Sequence, residues 1–315
     1  MSLVADLAAL SLYTRLIHSD WSISPRKRWA ATAIRKESGW LTGAPSRVGD
    51  TVLFLNYLTA GSYTTLAGFD FPIGLPESYG QKTRLGSFCN ALDAFGSGRW
   101  SAFYEVANTA NEISIFRPFY PQRSTSEARQ VHLIEAHGCG SIDGLRRQCE
   151  QPTAARRAAC PLFWTLGGNQ VGKAAISGWK EIISPARRLG AKLWPFDGSL
   201  ERLANIGELV LAETYPAEAY GHVGIRFATG ESKRRQNDRA KVAVGISRWA
   251  DSNKVIMTPT LVSLIEDGFG PRADGEDAFD AVLGLCGMIE VIDGRRPEGP
   301  MHKGNWEGWI LGQSE

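Results

Sequence analysis

Apolar and polar positions in the first third of the chain change period more than once. Residues 14–19 (TRLIHS) and 29–34 (WAATAI) read as two strands, joined by a polar, proline-containing turn over residues 22–28. Residues 48–60 place Val48, Val52, Leu55 and Leu58 near helical spacing. Residues 65–71 (TLAGFDF) follow as a buried strand that Pro72, Gly74 and Pro76 stop. A hairpin, a helix and a further strand predict an α/β sheet rather than a helical bundle.

The middle of the chain, residues 77–205, never settles into one period. It is rich in glycine and aromatic residues, and Pro118, Pro121, Pro152, Pro161, Pro185 and Pro195 interrupt it, which predicts short helices and loops. A strand pattern returns at residues 208–214 (ELVLAET) and ends at Pro216; helices are expected over residues 233–249, 258–267 and 277–292. No internal repeat, low-complexity tract or long linker divides the sequence. Residues 1–315 are therefore read as a single domain, with a large helical and loop insertion at about 77–205 between its fourth and fifth strands.

Composition narrows the class. With 43% hydrophobic and 22% charged residues the chain matches a soluble globular protein. The 35 Lys and Arg against 33 Asp and Glu leave no whole-molecule field to hold a polyanion, so any nucleic-acid contact must come from local basic patches. Five cysteines, an odd count with no C-x-x-C pair, argue against a disulfide framework and a zinc knuckle, and for a reducing, cytoplasmic setting. The start, MSLVADLAAL, lacks a basic region and carries Asp6, a poor match to a signal peptide. The longest uncharged run, residues 51–69, is broken by Asn56, Gly61 and Ser62, so no membrane span is expected.

Three strand-like segments finish on an acid: Asp20 after LIHS, Asp70 after LAGF, and Glu213 after LVLA. In open α/β sheets, sites gather at the carboxyl ends of strands. Two carboxylates about 4 Å apart repel by roughly 4 kcal/mol at an effective dielectric of 20, so several together imply raised pKa values or bound Mg²⁺ or Mn²⁺. A single strand-end Asp is more often a turn cap or a surface charge, but a fourth element shifts the balance. In GEDAFDAVLGLCGMIEV, Asp277 and Asp280 are three apart and share a helix face with Ala281, Gly284 and Gly287. Two mid-helix glycines cost about 1 kcal/mol each against alanine, which suggests close packing on a neighbour. Asp274 as an N-cap and Asp277 in the positive first turn are the plainer explanation, as good as the functional one for Asp277; Asp280 lies deeper and is less easily explained by capping.

The stretches HSDWSISPRKRWAATAI, LAGFDFPIGLP, LGGNQVGKAAISGW, VLAETYPAEAY, DAFDAVLGLCG and EGWI, spread over nearly the whole chain, resemble the predicted-nuclease family known as domain of unknown function 429. That resemblance implies a ribonuclease H-like mixed sheet flanked by helices. In the wider superfamily an acid on the first strand, an acid on the fourth and one or two acids on a late helix hold two Mg²⁺ ions. Matched residue by residue, it implies Asp20, Asp70, and Asp277 with Asp280 in those places, and Glu213 as a further candidate ligand in the family's E-x-Y-P motif. Two ions about 3.5 to 4 Å apart can activate water and stabilise the leaving oxygen of an in-line phosphoryl displacement, so a metal-dependent phosphodiester hydrolase is expected.

Other features of the sequence compete with that expectation. There is no G-x-S-x-G motif and no His pair at helical spacing; His132 and His137, five apart, read as ordinary residues of the insertion. GGNQVGKA, residues 167–174, nearly matches a phosphate-cradling loop, but Ala174 replaces the hydroxyl that would bind Mg²⁺. Nucleotide hydrolysis is kept as a minority alternative, with residues 162–166 as a thin candidate for the required strand. Otherwise Gly167, Gly168 and Lys173 are expected near the acids with Lys173 on a phosphate, or else as a helix start with an exposed lysine. Residues 142–192 hold nine Lys and Arg against three Asp and Glu, and residues 226–248 hold seven against two. These patches suit a phosphate backbone, with Arg234, Arg235 and Arg239 as candidate contacts, although solvated helix faces account for them almost as well. Trp21 and Trp179 are candidates for stacking on bases. The competing expectation is a non-catalytic nucleic-acid-binding or regulatory module on the same fold.

Overall fold

A computed structural model describes residues 12–153, 157–166, 171–300 and 304–314. The chain forms two compact units: residues 12–70, 186–300 and 310–314 make the first, and residues 71–185 and 304–309 the second. Among the described residues no helix is long and apolar enough to cross a membrane.

The first unit is a mixed α/β structure around one sheet of eight strands. In chain order these are β1 (Arg15–Asp20), β2 (Trp29–Lys36), β3 (Gly39–Thr42), β4 (Ser46–Arg47), β5 (Thr65–Phe69), β6 (Lys192–Leu193), β7 (Leu209–Glu213) and β8 (Val255–Met257). They lie in the order β6-β7-β5-β1-β2-β3-β8, with β4 paired to β2. Strand β1 is buried at every position, as a central strand covered on both faces should be. It runs antiparallel to β2, with Asp20 opposite Trp29, and parallel to β5, with Ser19 opposite Phe69. The β1–β2 turn is fixed by Arg28, whose Nε donates to Ser22 O at 2.6 Å while its guanidinium lies 4.1 Å from the centre of the Trp21 ring.

The two faces of the sheet are set by alternation along β1. Arg15 points one way and donates to Leu58 O at 2.7 Å, at the end of the helix Thr51–Thr59. That helix begins where Asp50 accepts from the Val52 and Leu53 amides at 2.9 Å and so caps its N-terminus. His18 points the other way, into the long helix Gly275–Ile292, and its Nδ1 donates to Ala281 O at 3.0 Å. The mid-helix glycines act here. A Cβ on Gly284 would sit 2.2 Å from the His18 ring, and one on Gly287 would sit 2.8 Å from the Ala219 Cβ on the helix Pro216–His222.

The helix expected over residues 233–249 is two shorter ones, Gln236–Lys241 and Ala243–Ser252. Residues 233–235 stay outside because the Lys233 carbonyl accepts from the Arg239 guanidinium at 2.5 Å instead of from a helical amide. Strands β3 and β8 meet where Gly39 sits at φ +139°, and a Cβ there would lie 1.9 Å from the Lys254 carbonyl oxygen. Any side chain there would collide with backbone.

The second unit, carried between β5 and β6 in the chain, is built from short helices around an aromatic core of Phe71, Phe88, Phe103, Phe119, Phe163 and Trp179. Trp179 is fully buried and donates Nε1–H to Pro72 O at 2.7 Å, so it is a core residue and offers no stacking surface. The ion pair Arg147–Glu150 is also buried, 2.8 Å long, with Arg147 Nη1 donating to Glu307 O. Its charges are mutually satisfied, as burial requires.

Candidate functional site

The parallel pairing of β1 and β5 brings two acids side by side. Asp20 ends β1 and Asp70 follows β5; the Asp70 amide donates to Ser19 O at 3.4 Å, and the Trp21 amide donates to Asp70 Oδ1 at 2.6 Å. Asp20 shares the parity of His18, and Asp70 that of Gly68, the residue opposite His18 in β5. Both acids therefore belong to the face covered by the long helix. On that helix Asp280 lies one turn before Gly284, the position that seats His18, and Asp277 lies nearly one turn earlier still. The close approach that Gly284 permits is thus what carries the helix acids to the strand-end acids.

Asp20 and Asp280 are buried, and Asp70 is half-buried. Asp20 and Asp70 lie close enough for each to act on the other's titration. Burial, then the charges of Asp70, Asp280 and Asp277, hold the Asp20 carboxyl well above the usual carboxylate range. Burial pushes Asp70 up to about 7 against the Trp21 amide, which favours its charged form. Asp277 rises to about 6, mainly from burial, and its Oδ2 is buried without a hydrogen-bond partner. Asp280 is also raised by burial, opposed by the Lys233 ammonium.

Two residues that sequence reasoning passed over hold Asp280. The Tyr220 hydroxyl donates to its Oδ1 and the Lys233 ammonium to its Oδ2, and Lys233 also pairs with Glu276 at 3.2 Å. Burial works against the Lys233 charge, yet Asp280 and Glu276 keep it above the ordinary lysine range. Tyr220 closes the motif ETYPAEAY, and Lys233 opens the basic run KRR. Either is visible in the sequence, but nothing there pairs it with an acid 60 or 47 residues away.

Glu213 does not join this cluster. Register sets it opposite Phe69, which is opposite Ser19, and these positions alternate to the other face of the sheet. It is buried at the end of β7, and its carbonyl accepts from the Leu311 amide at 2.9 Å. An acid at a strand end does not say which face it takes; parity, which requires the register, decides that.

The basic candidates divide similarly. Arg239 is buried, with its guanidinium donating to the carbonyls of Lys233, Gly268 and Gly270, so it braces two loops rather than facing a phosphate. Arg234 is exposed beside Glu276, and Arg235 pairs with Asp238 at 2.6 Å. Trp21 is 4% exposed and covered by Arg28, which leaves no free ring face for a base. Asp274 makes no side-chain cap; it pairs with Arg47 and Arg272. Lys173 belongs to the second unit, on the helix Val171–Gly178, with Nζ 3.5 Å from Gln122 O. Gly167 and Gly168 lie outside the described residues. Residues 162–166 form a turn with a single bridge, Trp164 to Tyr120, not the strand that a phosphate loop follows.

The donors at the cluster are all carboxylate oxygens, which suit Mg²⁺ or Mn²⁺, and buried like charges give a divalent cation a reason to bind. In that chemical sense Asp20, Asp70, Asp277 and Asp280 fit such an ion. Among the described residues, however, no group of three or more His, Cys, Asp and Glu side chains stands at metal-holding spacing. Burial and the neighbouring charges hold the Asp20 and Asp70 carboxyls above their ordinary range, and Lys233 with Tyr220 occupies Asp280. Compared with known proteins, the chain matches no family model, no curated protein and no solved structure.

Proposed function

We propose that the chain is a divalent-metal-dependent phosphodiester hydrolase, a nuclease, on a ribonuclease H-like fold of the family its sequence resembles. The observation that carries this is the convergence of Asp20, Asp70 and Asp280, from two adjacent parallel strands and one helix, with every one of the three carboxyls raised above its ordinary range. A strand order with β1 central, an antiparallel β2–β3 meander on one side and parallel β5 and β7 on the other agrees with that fold. A pair of Mg²⁺ or Mn²⁺ ions at these oxygens would activate water and stabilise the leaving oxygen. The chain's own part is to fix the ligands: Trp21 N–H orients Asp70, Tyr220 orients Asp280, and His18 packed on Gly284 sets the height of the helix acids over the sheet. Asp277 stands next to them as a further ligand or support. Arg234 and Lys27, the latter close enough to lower the pKa of Asp277, are the exposed cations that would face a substrate phosphate.

A second reading has its own observation. Because Lys233 and Tyr220 already satisfy Asp280, the cluster is also consistent with a non-catalytic module whose acids are structural. Calorimetric titration with Mn²⁺ and incubation with labelled single-stranded, duplex, branched and hybrid nucleic acids separate the two. Mn²⁺-dependent cleavage that Asp70→Asn abolishes is expected. Absence of both Mn²⁺ binding and cleavage in the unaltered chain would overturn the nuclease reading, and nucleic-acid binding without turnover would favour the module.

A further inference from the structure

We infer that Lys233 is a built-in competitor for the metal: its ammonium holds the Asp280 oxygen that a divalent cation needs, and loading the site requires Lys233 to leave. This rests on the metal-site reading above and adds how that site is regulated.

The two partners of Asp280 are not equivalent. Tyr220 donates to Oδ1 from the helix Pro216–His222, its ring packed against Phe227 and Phe279. That bond is neutral and leaves Oδ2 free to ligate, so Tyr220 orients the carboxylate in either state. Lys233 donates to Oδ2 and brings a full positive charge to the place where the cation's charge is required. A lysine ammonium and a divalent ion cannot share one carboxylate oxygen in a buried cluster, since like charges there repel strongly.

Lys233 is also placed to leave. It stands just before the helix Gln236–Lys241, and its side chain is 36% exposed, so part of the stem borders solvent. Its main chain is pinned separately, by Arg239 Nη1 on the Lys233 carbonyl. Release therefore needs only rotation of a flexible four-carbon stem, with the backbone held in place. Glu276, on the first turn of the long helix and 3.2 Å away, offers the ammonium a second anchor nearer the surface. The apparent affinity for metal is reduced by the fraction of molecules in which Asp280 is open; if Lys233 closes it nine-tenths of the time or more, the apparent Kd rises about tenfold or more.

The test is calorimetric titration of the full chain with Mn²⁺, comparing the unaltered protein with Lys233→Met, Lys233→Gln and Tyr220→Phe, each checked for native far-ultraviolet dichroism. The expected result is Mn²⁺ binding in the unaltered chain and binding at least about tenfold tighter in both Lys233 variants, with no tightening in Tyr220→Phe. Should the unaltered chain bind Mn²⁺ and the Lys233 variants bind it equally or more weakly, the competition is refuted while the metal site stands. Equal tightening in Tyr220→Phe also refutes it, since a loosened carboxylate would then be the cause. No binding in the unaltered chain and none in either Lys233 variant removes the metal site and the inference together.

Discussion

At the scale of single residues, the acids of the first unit sit where folding alone would not put them. Asp70 titrates near 7 in the folded chain and near 3.9 unfolded, so the folded state holds its proton longer and stability falls as pH rises from about 4 to about 7. Asp70→Asn keeps an oxygen for the Trp21 amide and removes the charge. In metal-free buffer the variant should be more stable than the unaltered chain above pH 7, on the order of 1–3 kcal/mol, with the difference shrinking towards pH 4. Urea unfolding at several pH values measures it, and a difference that is constant across that range would contradict the buried-charge account. The arginines separate by burial. Arg239→Met strands three carbonyls and should cost roughly 2–4 kcal/mol, whereas Arg234→Met, at a side chain 75% exposed, should stay within about 0.5 kcal/mol. Equal costs in denaturant unfolding would mean that the bracing role is wrong.

At the scale of elements, the decisive contact is the long helix on β1. Gly284→Ala gains helix propensity of about 1 kcal/mol yet drives a methyl into the His18 ring, so a net loss of about 1–3 kcal/mol is expected. The double variant Gly284→Ala, His18→Ala should be less destabilised than the two single costs added together, and strict additivity in thermal unfolding would deny the clash. Elements of this kind were legible in the sequence because they are long or strongly patterned. β1, β2, β5, β7 and the helix Thr51–Thr59 all announce themselves by period, and the paired glycines of the long helix by their cost. β3, β4, β6 and β8, at two to four residues each, are too short for a period to show. They exist because a neighbour's edge pairs with them. The break at residues 233–235 was hidden for a related reason: it depends on a guanidinium reaching back to a carbonyl.

At the scale of the whole molecule, Asp20, Asp70 and Asp280 could be picked out from strand ends and one helix face, but which acids share a face could not. Glu213 shows why. Its type and its place at a strand terminus match those of Asp20, and only the register, a long-range property, turns it to the opposite side. Ligand linkage offers a global check on the three that converge. Mn²⁺ at 100 times its Kd should stabilise the unit that holds them by about 2.7 kcal/mol, visible as an upward shift of its unfolding transition that Asp20→Asn removes. An unshifted transition under saturating Mn²⁺ would count against the acids as ligands.

The seat of His18 on Gly284 has one more consequence. Asp280 rides a single turn from that seat, so the helix works as a lever whose fulcrum lies in the apolar layer. A change at an uncharged buried position, such as a bulkier neighbour for His18, would tilt the lever and respace the oxygens without touching them. The spacing of these oxygens is therefore set by a buried packing fit, and under the proposed function loss of activity is expected at small buried residues as readily as at the acids themselves.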